Sequence, residues 1–281
     1  MTRAGSTFGV SAIRELAARH GIRPKRSFGQ HFLIDPNLAR AIAADAAIGP
    51  GDRVVEIGAG LGSLTRALAE AGADVVAIEA DRALVPALEE AVGIFDRVRV
   101  SHADAMDFDW IDDLHGDGWT LAANLPYHVA TPLVLETLRR APAIRRMLVM
   151  VQREVGERLV ADPGEDAYGA PSVRVAYQAV ASLVRKVPPS VFWPRPKVES
   201  VVVRLIRRDR PPVNVLEERL WRVVDAGFAE RRKTMRNAVR RLGFDAERAD
   251  ELLRMSEIDP SARAETLSLQ DFARLATVVP A

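Results

Sequence analysis

The 281-residue sequence contains no cysteine, which excludes disulfide bonds and thiolate metal sites and is compatible with a reducing cytoplasm. No apolar stretch approaches the length of a membrane span, and the N-terminus lacks the apolar segment of a secretory signal. The five histidines do not show the spacing of metal ligands. We therefore expect a cytoplasmic protein without a metal ion or a membrane partner, and with a monomer as its default state.

The sequence does contain enough apolar material for a large core, with 48% hydrophobic and 27% charged residues. From residue 53 onward, strand and helix patterns alternate, which is typical of an α/β fold with a parallel sheet. Two later apolar runs, 178–184 and 198–206, favour an antiparallel pair at the sheet edge. The candidates for the earlier, parallel strands are 53–57, 74–78, 98–101, 120–123 and 146–151.

A second domain is predicted after the charged segment 207–212, which ends in two prolines and is the best linker candidate. The helical patterns beyond it cover 215–228, 233–242, 246–255 and 269–278. We therefore expect an α/β domain of residues 1–208, which includes a basic N-terminal extension at 1–30. A small α-helical domain of residues 209–281 follows it.

Charge is strongly segregated along the chain, although the net charge is only +1. Residues 1–30 hold six basic residues and one acidic residue, and residues 204–241 hold twelve basic and five acidic residues. Basic side chains replace the counterions of phosphates, so two such segments are typical of an RNA- or DNA-binding enzyme. Solvated helix surfaces give the same pattern at any single cluster. The candidate RNA contacts are Arg23, Lys25, Arg26, Arg231, Arg232, Lys233 and Arg236.

A glycine-rich turn, Gly58-Ala59-Gly60-Leu61-Gly62, follows the first predicted parallel strand. A dinucleotide fold would place its third glycine at position 63, which is Ser63, and the Gly-Lys-Ser/Thr ending of a P-loop is absent. The spacing suits a tight turn at which a ribose and an amino acid approach the backbone near a helix N-terminus. A purely structural turn is an equal alternative.

Polar residues also follow the next three predicted strands. Glu79 can accept hydrogen bonds from two ribose hydroxyls, Asp104 can accept one from an adenine amino group, and Asn124 follows the fourth strand. Taken singly, Glu79 is equally explained as a surface acid and Asp104 as a helix N-cap. Open α/β sheets bind ligands at the carboxyl ends of their strands, so the combination predicts one shared site.

The motif Asn124-Leu125-Pro126-Tyr127 supplies an amide, a turn-forming proline and an aromatic ring in that order. Such residues can hold the exocyclic amino group of an extruded adenine and stack on its ring. The proposed acceptors are the side-chain carbonyl of Asn124 and the backbone carbonyl of Leu125, and Tyr127 is the stacking ring. The alternative is a structural turn with a buried tyrosine. Together with the glycine turn, the motif predicts a methyl donor held beside a nucleobase amine.

With these motifs the chain resembles the ribosomal RNA adenine dimethyltransferase family, and within it the branch that dimethylates two adjacent adenines of small-subunit (16S) RNA. The resemblance covers about residues 26–266. It implies a Rossmann-like class I methyltransferase fold, S-adenosyl-L-methionine as cofactor, and 16S RNA in a small-subunit assembly intermediate as partner. The further motifs that carry it lie at 30–33, 152–155, 192–200 and 231–237.

The resemblance also implies the residues of the site. Many relatives have Asn where this chain has His31, and Phe192 is a candidate second stacking surface for the target base, with a core position as the alternative. Two other functions stay open: a large-subunit adenine methyltransferase of the macrolide-resistance type, and a non-catalytic ribosome-assembly or transcription factor. The implied cofactor contacts are His31, Leu33, Gly58, Gly60, Glu79, Asp104 and Asn124.

Overall fold

The structure is a computed structural model that describes residues 8–25, 29–230 and 232–280. The chain divides into two compact units. The first comprises Met1–Gly156 and Ser182–Arg207, and the second comprises Glu157–Ala181 and Arg208–Ala281. None of the helices in the described ranges has the length and apolar character of a membrane-crossing segment.

The strands lie in the first unit, apart from the three residues Ala179–Ala181. In chain order they are β1 (Phe32–Leu33), β2 (Arg53–Ile57), β3 (Asp74–Glu79), β4 (Val98–His102), β5 (Trp119–Asn124), β6 (Ile144–Gln152), β7 (Ala179–Val187), β8 (Phe192–Trp193) and β9 (Ser200–Arg207). Over the described residues, one sheet has seven strands in the order β4-β3-β2-β5-β6-β9-β7, and a small sheet pairs β1 with β8. The pairs from β4 to β6 are parallel, and β9 is antiparallel to β6. The prediction of a Rossmann-like α/β fold is therefore confirmed.

The helices flank this sheet or build the second unit. They are α1 (Val10–Arg19), α2 (Pro36–Asp45), α3 (Ser63–Glu70), α4 (Val85–Val92), α5 (Ala130–Arg140), α6 (Arg153–Val160), α7 (Ala170–Gln178), α8 (Glu217–Phe228), α9 (Met235–Arg241), α10 (Ala246–Met255) and α11 (Leu269–Val278). Helix α2 begins at Pro36, because the Asp35 side chain caps it by accepting hydrogen bonds from the backbone N–H groups of Asn37 and Leu38.

The central strands are apolar because both faces of the sheet are covered. Val54 and Val55 of β2 and Leu121 of β5 are fully buried, as expected for parallel strands between two helical layers. On one face, Ile42 of α2 and Leu68 of α3 join the same apolar cluster as Val54. Because β2 to β5 are parallel, their carboxyl ends lie along the same edge of this packed sheet.

The second unit contains a segment that the predicted domain boundary assigned to the first domain. The first unit ends at Arg207, one residue from the predicted boundary. However, Glu157–Ala181 also belongs to the second unit. Tyr168 and Val173 are buried in the same apolar cluster as Phe272 of α11, and this shared burial explains the grouping. In addition, the Tyr168 hydroxyl donates a hydrogen bond of 2.8 Å to the Leu267 carbonyl.

Candidate active site

The carboxyl ends of the central strands surround a cavity of about 310 Å³ in the first unit. Gly58 and Gly60 follow β2, Glu79 ends β3, Asp104 follows β4 and Asn124 ends β5, and all five line this cavity. The structure thus brings together the polar residues and glycines that the sequence placed at one sheet edge. Leu125, Pro126 and Tyr127 line the same cavity.

Glycine is required in the turn after β2 for two reasons. Gly58 and Gly60 have φ values of +72° and +59°, a region that L-residues with side chains rarely adopt. A Cβ at Gly60 would also lie 3.1 Å from the Phe32 ring. The turn therefore presents bare backbone to the cavity, so that a ligand can approach it closely.

The Glu79 carboxylate is held by backbone groups on both of its oxygens. Oε2 accepts a hydrogen bond of 2.8 Å from Gly60 N–H, and Oε1 accepts one of 2.8 Å from Asp81 N–H. Burial raises the pKa of Glu79, and these two N–H groups act in the opposite direction. Each carboxylate oxygen has a second acceptor position, so the group can still receive ligand hydroxyls.

The Asn124 amide has a defined orientation. Its Nδ2 donates a hydrogen bond of 3.0 Å to the backbone carbonyl of His31. Because a carbonyl oxygen only accepts, the amide nitrogen must face His31, and Oδ1 is therefore presented as an acceptor on the opposite side. This contact uses the His31 backbone, which any residue at position 31 supplies.

The His31 and Tyr127 rings form one assembly with two neighbouring groups. His31 Nδ1 donates to the Pro194 carbonyl at 2.6 Å, and the ring stacks on Tyr127 with a centroid separation of 5.6 Å and an interplanar angle of 26°. The Tyr127 hydroxyl shares a hydrogen bond of 2.7 Å with Ser200 Oγ. Burial raises the pKa of Tyr127, so this hydroxyl stays protonated. One face and the tip of the Tyr127 ring are thus fixed.

Two predicted site residues are not brought to the cavity. Leu33 packs in the core, and its carbonyl accepts a hydrogen bond of 2.5 Å from Ser63 Oγ. Phe192 pairs with Leu33 across the β1–β8 sheet and is only 2% exposed. Its ring is packed in the apolar cluster under that sheet, so the structure corrects the expectation that Phe192 offers a stacking surface.

The predicted RNA contacts have different surroundings. Arg26 and Arg231 lie outside the described residues. Lys25 forms an ion pair with Asp81, and Arg236 forms one with Asp250. Within the described ranges, no group of acidic or histidine side chains has the arrangement of a metal site. Exposed side chains are found at Arg23, Arg232 and Lys233.

Comparisons with known proteins show the family to which the chain belongs. A sequence model of the family described as ribosomal RNA adenine dimethylase matches residues 21–280. The chain belongs to the ribosomal RNA adenine dimethylase family. It is 43% identical over 277 residues to ribosomal RNA small subunit methyltransferase A of Acidothermus cellulolyticus, with 97% of this chain and 94% of that protein covered. It is 45% identical over 269 residues to the protein of that name in Thermobifida fusca, with coverage of 94% and 93%.

Solved structures show the same fold as this adenine dimethylase. A dimethyladenosine transferase from Plasmodium falciparum has a TM-score of 0.74 at 24% identity, with 87% of this chain and 96% of that chain covered. The 23S rRNA methyltransferase ErmE has a TM-score of 0.69 at 24% identity, with 88% and 98% covered. At this level of identity the similarity establishes the methyltransferase fold alone.

Three residues near the cavity of this adenine dimethylase were missed from the sequence. Ser200 holds Tyr127, and Asp81 donates its backbone N–H to Glu79. Glu56 of β2 is 1% exposed, and its burial raises its pKa to about 8. Glu56 had a visible signal, because it is an acidic residue inside an apolar strand directly before the glycine turn. Ser200 lies in the motif at 192–200, but its contact with Tyr127 is distant in sequence, and Asp81 acts through a backbone group, so no local pattern indicated either role.

Proposed function

We propose that this adenine dimethylase transfers methyl groups from S-adenosyl-L-methionine to N6 of two adjacent adenines in a hairpin near the 3' end of 16S ribosomal RNA, twice on each nitrogen. The observation that carries the proposal is the oriented amide of Asn124, a residue that lines the same cavity as Glu79, Gly58 and Gly60. Family membership and the names of the relatives support the choice of substrate.

The cavity fits S-adenosyl-L-methionine in size and in the types of group that line it. About 310 Å³ lies in the range of small-molecule sites, and the positive-φ residues Gly58 and Gly60 line the cavity without side chains. Glu79 would accept hydrogen bonds from the ribose hydroxyls. Asp104, whose Oδ1 accepts a hydrogen bond of 2.9 Å from Met106 N–H, would receive the donor's adenine amino group. The cofactor supplies an electrophilic methyl group on a sulfonium.

The Asn124-Leu125-Pro126-Tyr127 turn would position the target base. The amino nitrogen of adenine is a weak nucleophile because its lone pair is delocalised into the ring. Asn124 Oδ1 and the Leu125 carbonyl would accept its N–H groups and so aim the lone pair at the methyl group. Leu125 N–H donates a hydrogen bond of 3.0 Å to the Met150 carbonyl of β6, and this bond holds the turn against the sheet. Positioning of this kind supplies most of the acceleration.

Tyr127 would stack on the target base, a contact worth about 1–3 kcal/mol. Because His31 occupies one face of the Tyr127 ring, the base has the other face. No strong general base is needed in this mechanism, since the nitrogen releases its proton after methylation has made it cationic. The buried Ser200 hydroxyl holds the ring at the angle required for stacking.

The partner is 16S RNA within an assembling small subunit, in the cytoplasm, and the protein acts as a monomer. We assign RNA engagement to residues 209–281, where Arg232 and Lys233 are exposed in the segment between α8 and α9. Arg23 is a further exposed contact in the first unit. Neutralising any one of these should weaken RNA binding uniformly across RNA sequences, because phosphate contacts carry no base information.

The deciding experiment measures methyl transfer from labelled donor to unmodified small subunits, large subunits and free RNA, and then maps the labelled adenines. We expect labelling of two adjacent adenines in the small-subunit RNA. Labelling of large subunits instead would identify a macrolide-resistance type enzyme. Failure to label any of the three would overturn the enzymatic assignment.

A further inference from the structure

Asp81 is a buried carboxylate that accepts four hydrogen bonds. Its side chain is 7% exposed and forms two contacts with Lys25 Nζ, at 3.0 and 2.9 Å. Gln30 Nε2 donates to Asp81 Oδ2 at 2.9 Å, and Ala83 N–H donates to Oδ1 at 3.1 Å. A carboxylate has about four acceptor positions, so the capacity of Asp81 is filled. The Lys25 and Gln30 hydrogen bonds keep its pKa low despite burial, so the group is ionised.

The backbone of Asp81 also holds the carboxylate of Glu79, the residue that we expect to bind the cofactor ribose. Asp81 N–H donates to Glu79 Oε1 at 2.8 Å, and the second Glu79 oxygen is held by Gly60. Any shift of the Asp81 backbone therefore changes where Glu79 presents its free acceptor positions.

Gln30 extends this connection to the cavity wall. Its Oε1 accepts a hydrogen bond of 2.8 Å from Lys25 N–H, while its Nε2 donates to Asp81. Residues 29–32, which we call the wall segment, line the cavity. The Asp81 side chain thus fastens the wall segment, and its backbone orients Glu79 on β3.

We propose that Asp81 is a positioning residue of the donor site that connects the wall segment to Glu79. In this proposal Lys25 stabilises the connection, which we call the Asp81 joint, and does not contact RNA. The inference rests on the proposed function, since it names the residues that shape its donor cavity. Without the Asp81 charge, Lys25 and Gln30 lose their common partner, and the wall segment is no longer held against Glu79.

The test compares Asp81→Asn with the wild type by titration calorimetry with S-adenosylhomocysteine in the absence of RNA. Losing hydrogen bonds to a charged group should weaken binding about tenfold. The KM for S-adenosylmethionine should rise in parallel, while kcat at saturating donor stays within about twofold. The matched control is Asp45→Asn, which removes the ion pair with Arg185 in the same unit but does not line the cavity. It should leave donor affinity unchanged.

A double-mutant cycle separates the joint from a general effect on folding. Lys25→Met alone should weaken donor binding, and it should add nothing further in the Asp81→Asn background. Lys25→Arg should retain affinity because it keeps the charge. Lys25→Met should also leave the affinity for small subunits unchanged, whereas Lys233→Met should reduce it.

The proposal is overturned if Asp81→Asn binds the donor like the wild type. It is also overturned if Asp81→Asn weakens donor binding no more than Asp45→Asn does. Additive effects of Lys25→Met and Asp81→Asn would also overturn it. These outcomes differ from failure of the proposed function, in which the wild type itself neither binds S-adenosylhomocysteine nor labels ribosomal RNA.

Discussion

The Asn124 side-chain nitrogen lies 3.0 Å from the His31 backbone carbonyl oxygen, and this contact fixes the direction of the amide. A residue from before β1 thereby sets the acceptor at the end of β5. Backbone recognition leaves the His31 side chain free for a second role, which it takes against Tyr127 and Pro194. The two ends of the motif Asn124–Tyr127 are therefore aligned by one residue.

This arrangement predicts that His31→Asn keeps donor affinity. The variant retains the carbonyl that receives Asn124 Nδ2 and loses only the ring that stacks on Tyr127. Calorimetry with S-adenosylhomocysteine should show a Kd within about twofold of the wild type, because a hydrogen bond with unchanged partners contributes the same free energy. A tenfold weaker Kd would show instead that the imidazole itself contacts the donor.

Tyr127→Leu should raise the KM for the RNA substrate and leave donor affinity unchanged. Removing a stacking ring costs about 1–3 kcal/mol per base, which corresponds to a rise in KM of roughly 5- to 160-fold. Tyr127→Phe is the control because it keeps the ring and loses only the hydrogen bond to Ser200. If Tyr127→Leu methylates small subunits with an unchanged KM, Tyr127 does not stack on the base.

Gly60→Ala should lower donor affinity through a local effect that Gly21→Ala does not share. Both glycines have similar φ values, +59° and +62°, so both substitutions introduce backbone strain of about 1 kcal/mol. Only at Gly60 does the new Cβ meet a ring, that of Phe32 at 3.1 Å, whereas nothing lies within 4 Å at Gly21. Thermal unfolding of both variants measures the cost of backbone strain, and calorimetry with S-adenosylhomocysteine measures the effect on donor binding. Equal loss of affinity in the two variants would argue against a role for the turn.

Glu56→Gln should make the protein more resistant to alkaline pH. Burial raises the pKa of Glu56 from 4.5 to about 8, so the folded state keeps a proton that the unfolded state releases. The stabilising contribution is complete below pH 4.5 and is lost as the pH rises to about 8. Gln has the size of the neutral carboxyl and does not ionise. The free energy of unfolding of the variant, relative to that of the wild type, should therefore increase by as much as about 4 kcal/mol between pH 5 and pH 9. Melting temperatures of the two proteins across this pH range measure the change. A difference independent of pH would refute the raised pKa.

Much of the site was predictable because its residues follow strands. An apolar run ending in Glu79 or Asn124 identifies both the strand and the side chain at its carboxyl end, and parallel strands bring such ends together. The turn at Gly58 to Gly62 was predictable for the same reason, since its spacing is local.

The remainder depends on contacts that no local pattern contains. Phe192 follows a proline-rich stretch and was a plausible exposed ring, but pairing with Leu33, distant in the sequence, buries it. Only the buried partners of Tyr168 reveal which core the segment Glu157–Ala181 joins, and Phe272 among them lies far along the chain. The pairing of Lys25 with Asp81 could not be predicted, because the two residues lie 56 positions apart in the sequence.

The central claim is that the Asn124 amide activates the acceptor nitrogen and does not serve mainly to bind the donor. The most direct test is single-turnover methyl transfer by Asn124→Ala at saturating S-adenosylmethionine, with the Kd for S-adenosylhomocysteine measured on the same preparation. We predict a rate lower by about a hundredfold or more, as for loss of one preorganised polar group at a reacting centre, with a Kd within a fewfold of the wild type. Normal transfer by this variant would contradict the account.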